Sequence, residues 1–214
     1  MFKKCIFLIL FYIFNTITLS STETINYFLN IEGEPTKESS CIIKTSSNSK
    51  DIICESSQNK ETFKLIDNKL IEWENYFTDK TFFKAKLSNN NIILTGKNKD
   101  KPIEKKYKLT NTQWIQSPSL LLSDFIVSQQ KDIEFIMVTG PMFSKMVIKK
   151  DNIETITINK TPYKSQRVIM SPPGLLGKLW KASIWFDLVE GNMIRYQAPS
   201  GPPGSKKLIM ELKN

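Results

Sequence analysis

Hydrophobic and polar residues alternate along most of the chain, and short β-branched and aromatic runs are separated by turn residues. Alternation with a period of two residues is typical of half-buried strands. The pattern predicts strands at residues 24–32, 40–45, 50–55, 62–67, 81–88, 91–96, 104–110, 133–139, 145–150, 153–159, 163–171, 179–188, 193–198 and 206–212. Strands recurring about every 10–12 residues favour a meandering antiparallel sheet rather than an α/β nucleotide-binding fold.

One predicted hairpin, residues 40–55, can be aligned residue by residue around a turn at residues 46–49. Its opposed pairs match in charge and in polarity: Lys44 with Asp51, Ile43 with Ile52, Ile42 with Ile53, and Cys41 with Cys54. Directly opposed Cβ atoms lie about 4.5–5.5 Å apart, which is close to the separation that a disulfide needs. The register therefore predicts a disulfide between Cys41 and Cys54, with two reduced, buried cysteines as the alternative.

A second hairpin is predicted around Asn89 and Asn90, which suit a tight turn between residues 81–88 and 91–96. Its apolar face consists of Phe83, Ala85, Leu87, Ile92 and Leu94. Its other face carries lysines, so we expect the hairpin to be buried on one side only.

One segment breaks the alternation and predicts a helix. Ser117 and Pro118 resemble a cap followed by a proline at the first helical position. The residues after them place an apolar stripe at helical spacing: Leu121, Leu122, Phe125 and Ile126. The predicted fold class is therefore mainly β, a curved antiparallel sheet or a half or whole barrel, with one covering helix at about residues 118–130.

The N-terminus predicts export. Two lysines, Lys3 and Lys4, precede an apolar run over residues 5–14, and small residues follow at 18, 20 and 21. These are the parts of a secretory signal peptide, and the run is shorter than the about 20 residues of a spanning helix. We expect residues 1–20 to be a signal peptide, residues 21–214 to form a single β-rich domain, and the protein to be periplasmic or secreted.

The formal net charge is +9, and it falls to +7 once the two lysines of the signal are removed. The remaining lysines are scattered, which indicates an ordinary solvated surface or an attraction to an anionic envelope surface. Export and the lack of a binding motif argue against nucleic acid as a partner.

The composition excludes several kinds of catalytic site. The chain has no histidine, which removes Ser-His-Asp and Cys-His systems and the usual zinc sites. Two carboxylate pairs, Glu32 with Glu34 and Glu72 with Glu74, have strand spacing, but such pairs usually form the wet side of a strand. We therefore expect a protein that is not an enzyme and has no metal or cofactor.

The aromatic segment near the C-terminus predicts an apolar interior. Trp180, Ala182, Ile184 and Phe186 alternate onto one face. Together with the helix residues Leu121 and Phe125, they form a candidate apolar pocket. The alternative is a filled core, because aromatic side chains dominate burial in small β domains.

The last third of the chain carries a resemblance. The segment from Lys181 to Asp187, with Gly191 shortly after and a strand following Gly204, resembles families of exported bacterial proteins of unknown function. Those families are similar in architecture to the periplasmic lipoprotein carriers, whose curved antiparallel sheet and covering helix enclose an apolar cavity. The resemblance implies this fold and this class of ligand. With the apolar faces of residues 180–186 and 120–127, it leads us to expect a non-catalytic envelope protein that binds an apolar or amphipathic ligand such as a lipid. The alternative is a structural or interaction protein of the envelope with a filled core.

Overall fold

The computed structural model describes residues 20–213. The predicted signal peptide therefore lies outside the described residues, except for Ser20. Within this range, none of the helices combines the length and the apolar character that crossing a membrane requires.

The described chain forms one sheet of fifteen strands. The strands are β1 Ser21–Ile31, β2 Lys37–Thr45, β3 Ser49–Ser56, β4 Asn59–Ile66, β5 Lys69–Phe77, β6 Phe82–Ser88, β7 Asn91–Asn98, β8 Lys101–Lys108, β9 Gln113–Trp114, β10 Asp132–Thr139, β11 Met142–Ile158, β12 Thr161–Ser171, β13 Ala182–Asp187, β14 Met193–Pro199 and β15 Lys207–Leu212. Their spatial order is β8-β7-β6-β5-β4-β3-β2-β1-β15-β14-β13-β12-β11-β10-β9. Every neighbouring pair is antiparallel except β9 with β10, and the sheet is not closed. The predicted mainly β class is confirmed.

The first predicted hairpin has the predicted register. Cys41 lies opposite Cys54, Ile43 opposite Ile52, and the two cysteines form a disulfide. The second hairpin is also confirmed, with Asn89 and Asn90 in the left-handed region at φ 46° and 59°. Asparagine tolerates this conformation better than most residues, so it suits a two-residue turn.

The predicted helix at about residues 118–130 is two short helices, α1 Pro118–Leu121 and α2 Ser123–Val127. Between them Leu122 has φ −106° and ψ 3°, which interrupts the helical hydrogen bonding. Ser128 ends the second helix, because its hydroxyl donates to the carbonyl of Phe125 and accepts from the backbone N–H of Gln130. A third helix, α3 Leu176–Leu179, lies in the loop between β12 and β13.

The hydrophobic core has two clusters. The first lies on β1 and β10–β15 and includes Phe125 and Ile126 of α2. The second lies on β2–β7 and includes both cysteines. Strand β10 contributes to both clusters, because Phe135 faces the first and Ile136 faces the second.

The sheet rolls inward at the edge that carries β10. The ring of Tyr107 on β8 lies 5.3 Å from the ring of Phe143 at the start of β11. Strand β8 therefore lies against the back of the β10–β11 hairpin. The first core covers the inner surface of the C-terminal half of the sheet. The second core fills the space between β10 and the N-terminal half.

Candidate functional site

The structure brings the six predicted pocket residues into one hydrophobic cluster. Phe125, Ala182, Ile184 and Phe186 are buried there, while Leu121 and Trp180 are half-buried and pack against it. The side chains of Ala182, Ile184 and Phe186 are at most 1% exposed, so they are interior packing. Contact of these residues with a ligand stays a prediction.

A groove opens beside this cluster, at the end of the sheet where β10, β12 and β14 finish. Its volume is about 570 Å³. Its walls are mostly apolar, and the side chains that form them are Met137, Met146, Met170, Leu176, Trp180 and Tyr196. Among the predicted pocket residues, Trp180 is the one that lines this groove.

The loop between β12 and β13 forms one side of the groove. Pro172 and Pro173 direct the chain away from β12, and α3 follows. Gly177 is buried in this helix, and a Cβ there would collide with the carbonyl oxygen of Pro172. Glycine thus allows α3 to lie close to the end of β12, which places Leu176 at the mouth of the groove.

The groove walls are almost uncharged. Burial raises the pKa of Tyr196 to about 12, so its phenol stays neutral at physiological pH. Thr139 and Ser144 form a hydrogen bond with each other through their hydroxyls. Lys145 lies at the edge, where its Nζ is 2.6 Å from Glu134 Oε2, and this hydrogen bond raises the pKa of Lys145. An apolar chain with a small polar end matches this arrangement.

A second hollow of about 490 Å³ lies at the opposite end of the interior. Leu121 and Phe125 line it, together with Trp114. Its rim is more polar, and Asn68 donates a hydrogen bond of 3.4 Å to Asp124 across it. The predicted pocket residues therefore border two separate hollows, one at each end of a packed core.

The three methionines of the groove were not among the predicted pocket residues. Met146 and Met170 are buried, and Met137 packs beside them. Alternation in 133–139, 145–150 and 163–171 assigns these methionines to the interior. It does not show that they face an open space, because that depends on how the following loop folds.

Trp185 is held on the outer face of the sheet. Its Nε1 donates to Glu154 Oε1 at 2.8 Å, and the guanidinium of Arg195 lies 5.8 Å from its ring. Arg167 lies directly opposite it on β12. These contacts explain why Trp185 is 7% exposed although it points away from the core.

Among residues 20–213, no three His, Cys, Asp or Glu residues are placed where they could share a metal ion. Neither a protein-family model nor a curated protein matches the sequence. Among solved structures, the chain is similar to the crystal structure of the hypothetical lipoprotein YmcC from Escherichia coli (K12). The TM-score is 0.39 and the identity 9%, over 89% of this chain and 86% of that chain.

Proposed function

We propose that this protein is an exported, non-catalytic protein of the bacterial envelope that binds an apolar or amphipathic molecule, such as a lipid, in the groove at Trp180. The observation that carries the proposal is the groove itself. It has an apolar wall, it opens to solvent, and its volume of about 570 Å³ lies within the roughly 300–1,000 Å³ of ligand pockets.

The methionines favour a flexible ligand over a rigid one. Met137, Met146 and Met170 form one wall. Methionine has an unbranched, polarisable side chain that adapts to irregular partners. An acyl chain, which also takes many shapes, fits such a wall, and the rings of Trp180 and Tyr196 add large apolar surfaces with polar edges.

The disulfide supports the exported part of the proposal. Cys41 and Cys54 are paired, and structural disulfides persist mainly in oxidising compartments such as the periplasm. The predicted signal peptide over residues 1–20 points to the same compartment.

Binding is tested by titrating the purified, delipidated protein with a fluorescent fatty acid. We expect saturable binding, and we expect Leu176→Asp to weaken it about tenfold or more, because a charge at the groove mouth opposes an apolar chain. Leu176 is exposed, so this variant is expected to fold. Met137→Asp should also weaken fatty-acid binding about tenfold or more, because Met137 forms part of the groove wall.

The matched control is Met142→Asp. Met142 lies in the same hairpin as Met137, but it is 57% exposed and is not part of the groove wall. It should bind the fatty acid as the unmodified protein does. Absence of saturable binding, or unchanged binding by Leu176→Asp, would overturn the proposal in favour of a structural or interaction protein.

A further inference from the structure

A group of exposed leucines lies beside the groove, in residues 172–181, here named the leucine loop. Leu175 is 77% exposed, Leu176 is 63% exposed and Leu179 is 62% exposed. Buried Gly177 holds one side of α3 against the end of β12. The leucines are therefore held outward by a packed helix, and such clustered apolar exposure commonly marks an interaction surface.

The charge around these leucines is positive. Lys178 lies within α3 and Lys181 follows it, and residues 172–186 contain no acidic residue. Neither lysine forms an ion pair with any residue from 20 to 213. Asp132 and Glu134 line a hollow that Gly177 and Lys178 of the loop also line. Glu134 is paired there with Lys145.

We infer that the leucine loop docks on an anionic phospholipid surface. Leucines can enter the boundary between headgroups and acyl chains, and lysines beside them can contact the phosphates. Charge complementarity selects this occupant, because the loop combines unpaired lysines with the apolar side chains and lacks carboxylates.

The loop and the groove share Leu176, which is exposed and also lines the groove. Docking would therefore bring the mouth of the groove to the membrane, where a lipid could pass between the bilayer and the groove. This last step rests on the proposed lipid binding, whereas docking itself does not.

Docking is tested by vesicle sedimentation. Vesicles of phosphatidylcholine alone are compared with vesicles that also contain phosphatidylglycerol. Mass spectrometry first identifies the N-terminus of the purified protein, because an uncleaved apolar run at residues 5–14 would itself bind lipid. We expect binding to the phosphatidylglycerol vesicles that weakens as salt concentration rises.

Two double variants separate the apolar and the electrostatic contributions. Leu175→Ser with Leu179→Ser should weaken vesicle binding about tenfold or more. Lys178→Gln with Lys181→Gln should reduce the preference for phosphatidylglycerol about tenfold. Neither pair lines the wall of the groove at Trp180, so fatty-acid binding in solution should be unchanged.

The matched control replaces Val127 and Val189 with serine. They are 77% and 88% exposed, but they lie away from the leucine loop, in α2 and in the turn between β13 and β14. This variant should bind vesicles as the unmodified protein does. Docking is overturned if phosphatidylglycerol vesicles do not bind the protein, or if the leucine variant binds them normally. It is also overturned if the leucines prove to join two copies of the chain in sedimentation velocity.

Discussion

The two halves of the sheet use the same strand pairing but differ at their connections. In the N-terminal half, β2 to β8 follow one another as neighbours, and short turns join them. In the C-terminal half, β12 and β13 are also neighbours, yet the ten residues from Pro172 to Lys181 connect them. The first half packs into a disulfide-linked core that borders the hollow at Trp114, and the second half ends in the groove at Trp180.

This difference indicates where binding can develop in a rolled sheet. A tight turn needs only the residues that reverse the chain, so it adds no wall beyond the sheet. A longer connection can fold over the sheet end and leave a space beneath it. The leucine loop does this, and the groove contains side chains from the loop and from the strands below it.

The largest expected effect comes from the strand that joins the two cores. Phe135→Ala should lower the free energy of unfolding by about 3–5 kcal/mol, because it empties a fully buried site in the first core. Ile136→Ala should cost about 2–5 kcal/mol in the second core. Urea denaturation followed by fluorescence and by circular dichroism measures both.

If β10 makes the halves one cooperative unit, each variant shifts a single transition that both probes report. Two separate transitions, with Phe135→Ala moving one and Ile136→Ala the other, would show that the halves unfold independently.

A smaller effect is expected at the disulfide. Replacing Cys41 and Cys54 together with serine should lower the free energy of unfolding by about 3 kcal/mol, the cost of freeing a short loop in the unfolded chain. Both residues belong to the second core, so fatty-acid binding at the groove should not change.

Reduction with dithiothreitol provides the control for this prediction. It should destabilise the unmodified protein by a similar amount and leave the double variant unaffected. A loss of fatty-acid affinity in the double variant would contradict the separation of the two halves.

The regular part of the fold could be predicted from the sequence, because its register depends on local pairs. Charged, apolar and cysteine positions in residues 40–55 match in one alignment, and Asn89 with Asn90 marks a tight turn. These signals involve residues close in the chain. The inward position of β10 depends on contacts such as that of Tyr107 with Phe143, which no local pattern records.

Strand β11 shows how a local signal can mislead. Asp151 and Asn152 resemble a turn, so the sequence predicts two strands, at 145–150 and 153–159. The structure has one strand, Met142–Ile158, with an irregularity between Lys150 and Ile153. The side chain of Gln166 donates to the carbonyl oxygens of Asp151 and Asn152 and so satisfies the backbone at the bulge.

The candidate site was only partly predictable for the same reason. Alternation assigns Trp180, Ala182, Ile184 and Phe186 to the interior, and all four contribute to the first core. Whether an interior residue faces a neighbour or a space depends on the loop above it. That loop is shaped by the close approach of Gly177 to Pro172, which composition alone does not reveal.

The smallest expected effect is a pH dependence confined to the N-terminal half. Burial raises the pKa of Glu61 from 4.5 to about 7. Asn75 donates a hydrogen bond of 2.8 Å to Glu61 Oε1, and Asn59 donates to Asn75 at 3.1 Å. Glu61 lies opposite Cys54, so an ionised carboxylate here would face an apolar core.

The sign of this dependence follows from the proton count. Below pH 4.5 Glu61 is protonated in both the folded and unfolded chains, and its stabilising contribution is complete. Between pH 4.5 and about 7 the unfolded chain loses the proton while the folded chain keeps it, so the free energy of unfolding falls as pH rises. Above pH 7 both are ionised, and the loss is constant. We expect a loss of about 1–2 kcal/mol, since Glu61 is only half-buried.

Glu61→Gln should remove this decline, because a neutral amide does not ionise and can still accept the hydrogen bond from Asn75. Urea denaturation at several pH values between 4 and 8 measures the free energy of unfolding of the unmodified protein and of Glu61→Gln. Glu55→Gln is the matched control, since Glu55 is an exposed carboxylate paired with Lys60 at 2.6 Å on the same hairpin.

If the curves for the unmodified protein and Glu61→Gln run parallel from pH 4.5 to 7, the carboxyl of Glu61 is ionised at the same pH in the folded and unfolded chains. If fatty-acid affinity at the groove follows the same pH dependence, the N-terminal core and the groove are coupled. This result would contradict the view that the N-terminal half contributes to stability and the C-terminal half to binding.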